Sequence, residues 1–142
     1  MNGFQKWCYY GVVKTIKEKP RMKEVYPNLY VGNQADYDNN KQSFEEWKVV
    51  HACKEPYHRR ALGYMGRGAP KDSPYYYYLY DRMGNLILNI VDTDSPDYFN
   101  DEMIDEAIKY CLEGINNGKK VLIHCNQGES RAPSIALLAL RT

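Results

Sequence analysis

Cys125 and Arg131 stand at the two ends of one short polar loop, Asn126-Gln127-Gly128-Glu129-Ser130. An ionised thiol is a strong nucleophile. A guanidinium presents a planar fork that takes two oxygens of a phosphate at once. The loop runs into an apolar stretch that reads as a helix, so its backbone N–H groups converge at a helix N-terminus and favour an anion. A thiol held there is expected to ionise readily, because the positive end of the helix stabilises the thiolate. Gly128 lets the backbone turn without a Cβ in the way. Nucleophile, anion cradle and bidentate cation together suggest phosphoryl transfer through a phosphocysteine. A cysteine near an arginine means little alone, since unreactive cysteines are common in cores. His124, Gly128 and the flanking elements make the pattern specific.

Those elements are legible. Val121-Leu122-Ile123 reads as a buried strand leading into the loop. Pro133 followed by Ile135-Ala136-Leu137-Leu138-Ala139-Leu140 reads as a helix, with the proline tolerated in its first turn. Upstream, Leu86-Ile87-Leu88-Asn89-Ile90-Val91 reads as another buried strand. The loop Asp92-Thr93-Asp94-Ser95-Pro96-Asp97 follows it, and a helix begins near Asn100 with Asp101 and Glu102 in its first turn. Ile104, Ala107, Ile108, Cys111, Leu112 and Ile115 form one apolar face of that helix, and Gly118 is a natural stop. Strand, helix and strand make a crossover unit, which predicts that the Leu86 and Val121 strands are parallel neighbours. The carboxylates of Asp92, Asp94 and Asp97 would then share a sheet edge with Cys125. Any of them could protonate a leaving oxygen and then activate water, although turn formation is the ordinary task of such residues.

Lys48-Val49-Val50-His51-Ala52-Cys53 reads as a central strand ending in a small buried cysteine. Residues 25–33 read as an edge strand, because Pro27 cannot serve a central one. Residues 10–16 could be a strand or a lead-in. A short helix is expected within 34–47, with Phe44 and Trp47 facing the core. Residues 54–84 are rich in glycine and proline and read as an ordered loop. Its Arg59, Arg60, Arg67 and Lys71 either rim the pocket or are solvated charges. The run from Tyr75 to Tyr80 packs on the sheet or walls the site. The sum is an α/β domain over residues 1–142, with a central, mostly parallel sheet flanked by helices.

His124-Cys125-x-x-Gly128-x-x-Arg131 resembles the signature of the protein tyrosine phosphatase superfamily. Glu129-Ser130-Arg131-Ala132-Pro133-Ser134 is similar to its dual-specificity branch, and Val25-Tyr26-Pro27-Asn28-Leu29-Tyr30-Val31-Gly32 is similar to that branch's first strand. The resemblance implies a metal-free, cofactor-free hydrolase with Cys125 as nucleophile and Arg131 holding the phosphate. Asn126, Gln127, Gly128, Glu129 and Ser130 would line the phosphate, and His124 would order the loop from behind. It also separates the carboxylates: Asp94 matches the family's general acid in its spacing from Asn89-Ile90 and from the nucleophile, with Asp92 next. Some members carry a second cysteine at the position of Cys53, able to form a disulfide with the nucleophile. Members acting on inositol phospholipids tend to carry lysines in the loop, and this loop has none. A phosphoprotein or a small aryl phosphomonoester is therefore the expected substrate, phosphotyrosine first, with phosphoserine and phosphothreonine depending on pocket depth.

Two features depart from the family. Ala132 stands where serine or threonine usually stabilises the departing thiolate. Losing such a hydrogen bond costs about 1.5–3 kcal/mol, which would slow the second step by about one to two decades. The chain also stops at Thr142, where the family usually continues with further helices, so a truncated catalytic domain is expected. The last helix is apolar on every side, and unless covered it invites dimerisation.

Composition excludes other classes. A net charge of +1 gives no bulk electrostatic case for nucleic acid or membrane partners. Residues 1–7 lack the apolar core of a signal peptide, and no apolar run approaches a membrane span. Cys8, Cys53, Cys111 and Cys125 lie far apart without a C-x-x-C pair, which suggests neither zinc nor a disulfide framework. A reducing, cytoplasmic setting is expected. The competing reading is a phosphate-binding or substrate-trapping module with weak turnover. A rhodanese-like sulfur transferase ranks third, since it would leave Asp94 without a task.

Overall fold

The computed structural model describes residues 22–91, 100–127 and 131–141. Within them one sheet is built from β1 (Lys23–Tyr26), β2 (Leu29–Gly32), β3 (Lys48–His51), β4 (Tyr78–Tyr80), β5 (Leu86–Leu88) and β6 (Val121–His124). Their spatial order is β1-β2-β6-β3-β5-β4. The inner strands β2, β6, β3 and β5 run parallel, and β1 and β4 close the edges antiparallel. The expected α/β architecture is the observed one.

A parallel strand covered on both faces must be apolar on both. In β6, Val121 and Ile123 join Leu29, Val31 and Val50 in the main core. Leu122 points to the other face, with Val49 and Phe44. Each such side chain, fully buried, contributes about 1.5–3 kcal/mol. The main core is roofed by α3 (Asp101–Asn116) and α4 (Arg131–Leu140). The opposite face carries α1 (Gln34–Asp38) and a 3₁₀ turn at Lys41–Phe44. There Phe44 is buried and Trp47 packs edge-on against it, ring centroids 5.0 Å apart.

Helix ends are satisfied locally. Asn33 and Asp36 form a capping box on α1, each side chain accepting the other's backbone N–H at 2.8 Å. Gly32 permits it: a Cβ there would lie 2.9 Å from Asp36 Oδ2. Asn100 caps α3 by accepting from Met103 N at 3.0 Å. At the other end Gly118, with φ of 73°, lets its own N–H reach Ile115 O at 3.0 Å and that of Lys119 reach Gly114 O at 2.9 Å.

Several expectations are corrected. The stretch around Pro27 is a hairpin: Pro27 and Asn28, the latter at φ of 69°, make the turn. This leaves β1 as the edge and β2 inside the sheet. The strands from Leu86 and Val121 are parallel but not neighbours, because β3 lies between them. The core side of α3 is Met103, Ala107, Tyr110, Cys111 and Gly114, with Ile104, Ile108 and Ile115 only partly buried. Tyr110 belongs inside because its hydroxyl donates to Gly84 O at 2.8 Å. Gly114 does so because its bare Cα lets the helix approach β6; a Cβ would meet Val121 at 2.8 Å. In the tyrosine run, Tyr78 and Leu79 pack against the core as expected, whereas Tyr75, Tyr77 and Tyr80 are exposed. Residues 10–16 lie outside the described residues. No helix among the described residues is long and apolar enough to cross a membrane.

Candidate active site

The inner parallel strands all end at one edge, and the candidate site lies there. Cys125 follows β6 directly, buried at 2% exposure, with its backbone N–H donating to Gly32 O at 3.3 Å. Arg131 opens α4 and is 3% exposed. Its Nη1 donates to Ala52 O at 3.2 Å and Ile90 O at 3.3 Å, the carbonyls just beyond β3 and β5. Its Nη2 donates to Asn126 Oδ1 at 2.8 Å. A buried guanidinium is tolerable only when its donors are satisfied, and these acceptors fix it at the sheet edge.

Asn126 is the tie between segments. Its Nδ2 donates to Gln34 Oε1 at 2.9 Å and Glu55 O at 2.8 Å, and its carbonyl accepts from Gln34 N at 3.3 Å. Glu55 is itself anchored. Arg59, in α2 (Arg59–Leu62), donates from Nε to both its carboxylate oxygens at 2.5 and 2.9 Å. The remaining Arg59 donors reach Tyr64 O, Gly66 O and Arg67 O. Arg59 therefore fastens the 54–68 loop, while Arg60, Arg67 and Lys71 are exposed.

Behind Cys125 is a buried group the sequence reading did not assemble. His124 and His51 are register partners on β6 and β3. His51 Nδ1 stands 2.6 Å from His124 Nε2. Cys53 Sγ lies 3.9 Å from His124 Nδ1 and 3.8 Å from His124 O. Tyr37 stacks on His124 at 5.1 Å and Tyr57 on His51 at 4.6 Å. The Tyr57 hydroxyl donates to Asp38 Oδ1 at 2.5 Å. Burial pulls His51 down to about 4, with Asp81 and Asp38 opposing and Lys41 assisting. Burial, then the His51 partner, holds His124 well below the ordinary range. Burial also raises the Cys53 thiol, Cys125 raises it further, and Arg131 opposes. Those two influences put Cys53 in the electrostatic reach of Cys125 and Arg131. His51 had a signal: two strands end alike, Val50-His51-Ala52-Cys53 and Ile123-His124-Cys125.

Of the residues expected at the site, Cys125, Asn126 and Arg131 are brought to one edge with His124 beneath, and Gln127 is exposed beside them. Gly128, Glu129, Ser130, Asp92, Asp94 and Asp97 lie outside the described residues. Ala132 is fully buried. Ser134, one turn along α4 from Arg131, has a buried Oγ with no hydrogen-bond partner among the described residues. Arg131 and Ser134 line a cavity of about 260 Å³ with Ile90, Ile104, Ile135 and Leu138. Among the described residues no cluster of His, Cys, Asp and Glu could hold a metal ion.

Comparison with known proteins agrees with this geometry. Dual specificity protein phosphatase 26 of Mus musculus is 27% identical over 118 residues, 82% of this chain and 49% of its own length. The chain is dual-specificity phosphatase-like. The Homo sapiens dual specificity protein phosphatase 26 matches over the same shares at the same identity. The chain thus spans about half the length of these curated relatives. The crystal structure of DUSP15 superposes with a TM-score of 0.57 at 20% identity, over 84% of this chain and 64% of that one. No family model matches the chain.

Proposed function

We propose that this chain is a cysteine-dependent phosphatase acting on phosphotyrosine in proteins or on small aryl phosphomonoesters, with phosphoserine and phosphothreonine as secondary substrates. The observation that carries the reading is the junction of β6 with α4. It sets Cys125 at the end of β6 and Arg131 at the start of α4, at one sheet edge, with both groups in electrostatic reach of Cys53. Cys125 attacks phosphorus as the ester P–O bond breaks, while Arg131 meets the charge of the equatorial oxygens. Asp94 protonates the leaving oxygen. Water, deprotonated by the same carboxylate, then displaces the thiolate and releases phosphate.

A second reading has specific support. Ala132 offers no hydroxyl to the departing thiolate, and both terminal nitrogens of Arg131 are engaged by protein oxygens. Those two features favour a phosphate-binding module with poor turnover. Aryl phosphate hydrolysis, with Cys125→Ser as control, separates the readings. Steady release supports the enzyme, and a single burst marks a stalled phosphocysteine. No release at all overturns the phosphatase. Asp94→Asn should remove the limb of the pH–rate profile that reports the acid; an unchanged profile removes Asp94 from the mechanism.

A further inference from the structure

The proposed chemistry uses Cys125, Arg131 and Asp94 and gives no task to His51. Yet His51 makes a very close contact, 2.6 Å to His124 Nε2, immediately beneath the nucleophile. Two imidazole nitrogens at that distance share one proton: one ring donates and the other accepts. Their surroundings decide which. A hydrogen bond with the Cys125 backbone favours a proton on His124. A backbone partner that favours the protonated ring must be an acceptor, the Cys125 carbonyl, and with Nε2 turned to His51, Nδ1 is the ring nitrogen left to donate to it. The Cys53 thiol reaches Nδ1 only at 3.9 Å and has the His124 carbonyl as an alternative acceptor at 3.8 Å. A neutral His124 carrying its proton on Nδ1 has a bare Nε2, which must accept. His51 Nδ1 is then the donor.

The packing holds both rings in this orientation. Tyr37 lies parallel to His124 at 4° and edge-on to His51 at 88°. Tyr57 lies nearly parallel to His51 at 16° and edge-on to His124 at 78°. Neither imidazole can flip without displacing a tyrosine. The charged groups acting on His51 are Asp38 on α1, Asp81 before β5 and Lys41 on the 3₁₀ turn. None is a hydrogen-bond partner of the pair.

We propose that His51 is a positioning residue: its Nδ1–H fixes the tautomer of His124, and His124 through its Nδ1–H holds the backbone of Cys125 and the start of the phosphate loop. The inference deepens the phosphatase reading only in naming what the held loop is for. The geometry of the thiol loop stands whether or not esters are turned over.

The test begins with the unmodified chain. Two-bond nitrogen–proton correlations of the His124 ring at neutral pH should show Nδ1 protonated and Nε2 bare. The reverse pattern overturns the proposal without any variant. His51→Leu removes the donor and keeps an apolar volume, and His51→Asn restores an N–H. Read by mass spectrometry at the Cys125 peptide, iodoacetamide labelling at fixed pH should slow about tenfold in His51→Leu. It should recover in His51→Asn. Equal labelling of Cys125 in folded His51→Leu and in the unmodified chain makes His51 a core residue only, and overturns the proposal. Should His51→Leu fail to fold, the nitrogen correlation and His51→Asn decide. Slowed labelling in a protein that never hydrolyses an aryl phosphate would remove the phosphatase reading and leave the positioning role intact.

Discussion

Asn126, just after β6, and Arg131, at the start of α4, hold each other: Arg131 Nη2 donates to Asn126 Oδ1 at 2.8 Å. The same amide donates at 2.9 Å to Gln34 and at 2.8 Å to the Glu55 carbonyl. One side chain thus joins α1, the 54–68 loop and the first residue of α4. Asn126→Ala removes these bonds and leaves partly buried partners unpaired. It should cost about 2 kcal/mol, read as a fall of about 6 °C in melting temperature. Loss of phosphate affinity should accompany it. A variant that melts with the parent would show that the tie is slack.

Arg131→Lys keeps a charge but cannot serve Ala52 O, Ile90 O and Asn126 together, nor grip two phosphate oxygens. Aryl phosphate turnover should fall at least about a hundredfold. Turnover within a few-fold of the parent would take Arg131 out of the mechanism.

Acid should weaken this protein through its histidine pair. His51 is held at about 4 and burial with the His51 partner holds His124 well below its ordinary range, while in the unfolded chain both titrate near 6.5. Between those values the unfolded chain binds protons that the folded one refuses, so stability rises with pH across the window. It is fully present above about 6.5 and falls as the pH drops towards 4, by on the order of 3 kcal/mol from His51. Urea denaturation at pH 7 and pH 4.5 checks this: the midpoint should drop in the parent and drop less in His51→Asn. Equal drops in both would assign the acid sensitivity to other groups.

Cys53 is a buried thiol in the electrostatic reach of Cys125. Hydrogen peroxide should oxidise Cys125 to the sulfenic acid, with one water released. Attack by Cys53 sulfur then expels a second water and forms a disulfide. Mass spectrometry after peroxide treatment should find the linked peptide, and thiol reduction should restore Cys125. Over-oxidised Cys125 without any cross-link would count against the pair.

The chemistry of the loop was readable because it is local. Strand, cysteine, loop, arginine and proline-opened helix follow one another between Val121 and Leu140, and each element's signal is its own composition. What escaped depends on separation along the chain. His51 meets His124 only because β3 lies beside β6 in a register that composition does not encode. The neighbour relation of β5 and β6 failed for the same reason, since β3, formed earlier in the chain, takes the place between them. On α3, periodicity weighted Ile104 and Leu112, whereas Tyr110 and Gly114 face inward for reasons of hydroxyl satisfaction and close approach. Pro27 excludes a central strand. It does so only for itself, since the turn it makes frees Leu29–Gly32 to pair on both sides.

The place of β6 has a further consequence. Its backbone is paired with β2 on one side and β3 on the other, and both its faces are covered. The strand that leads to the nucleophile therefore has no route to fray by itself. Its amides should exchange with solvent only when the whole sheet opens, together with those of Val49 and Val31 and far later than those of β1 or β4. The thiol's setting then lasts as long as the fold does.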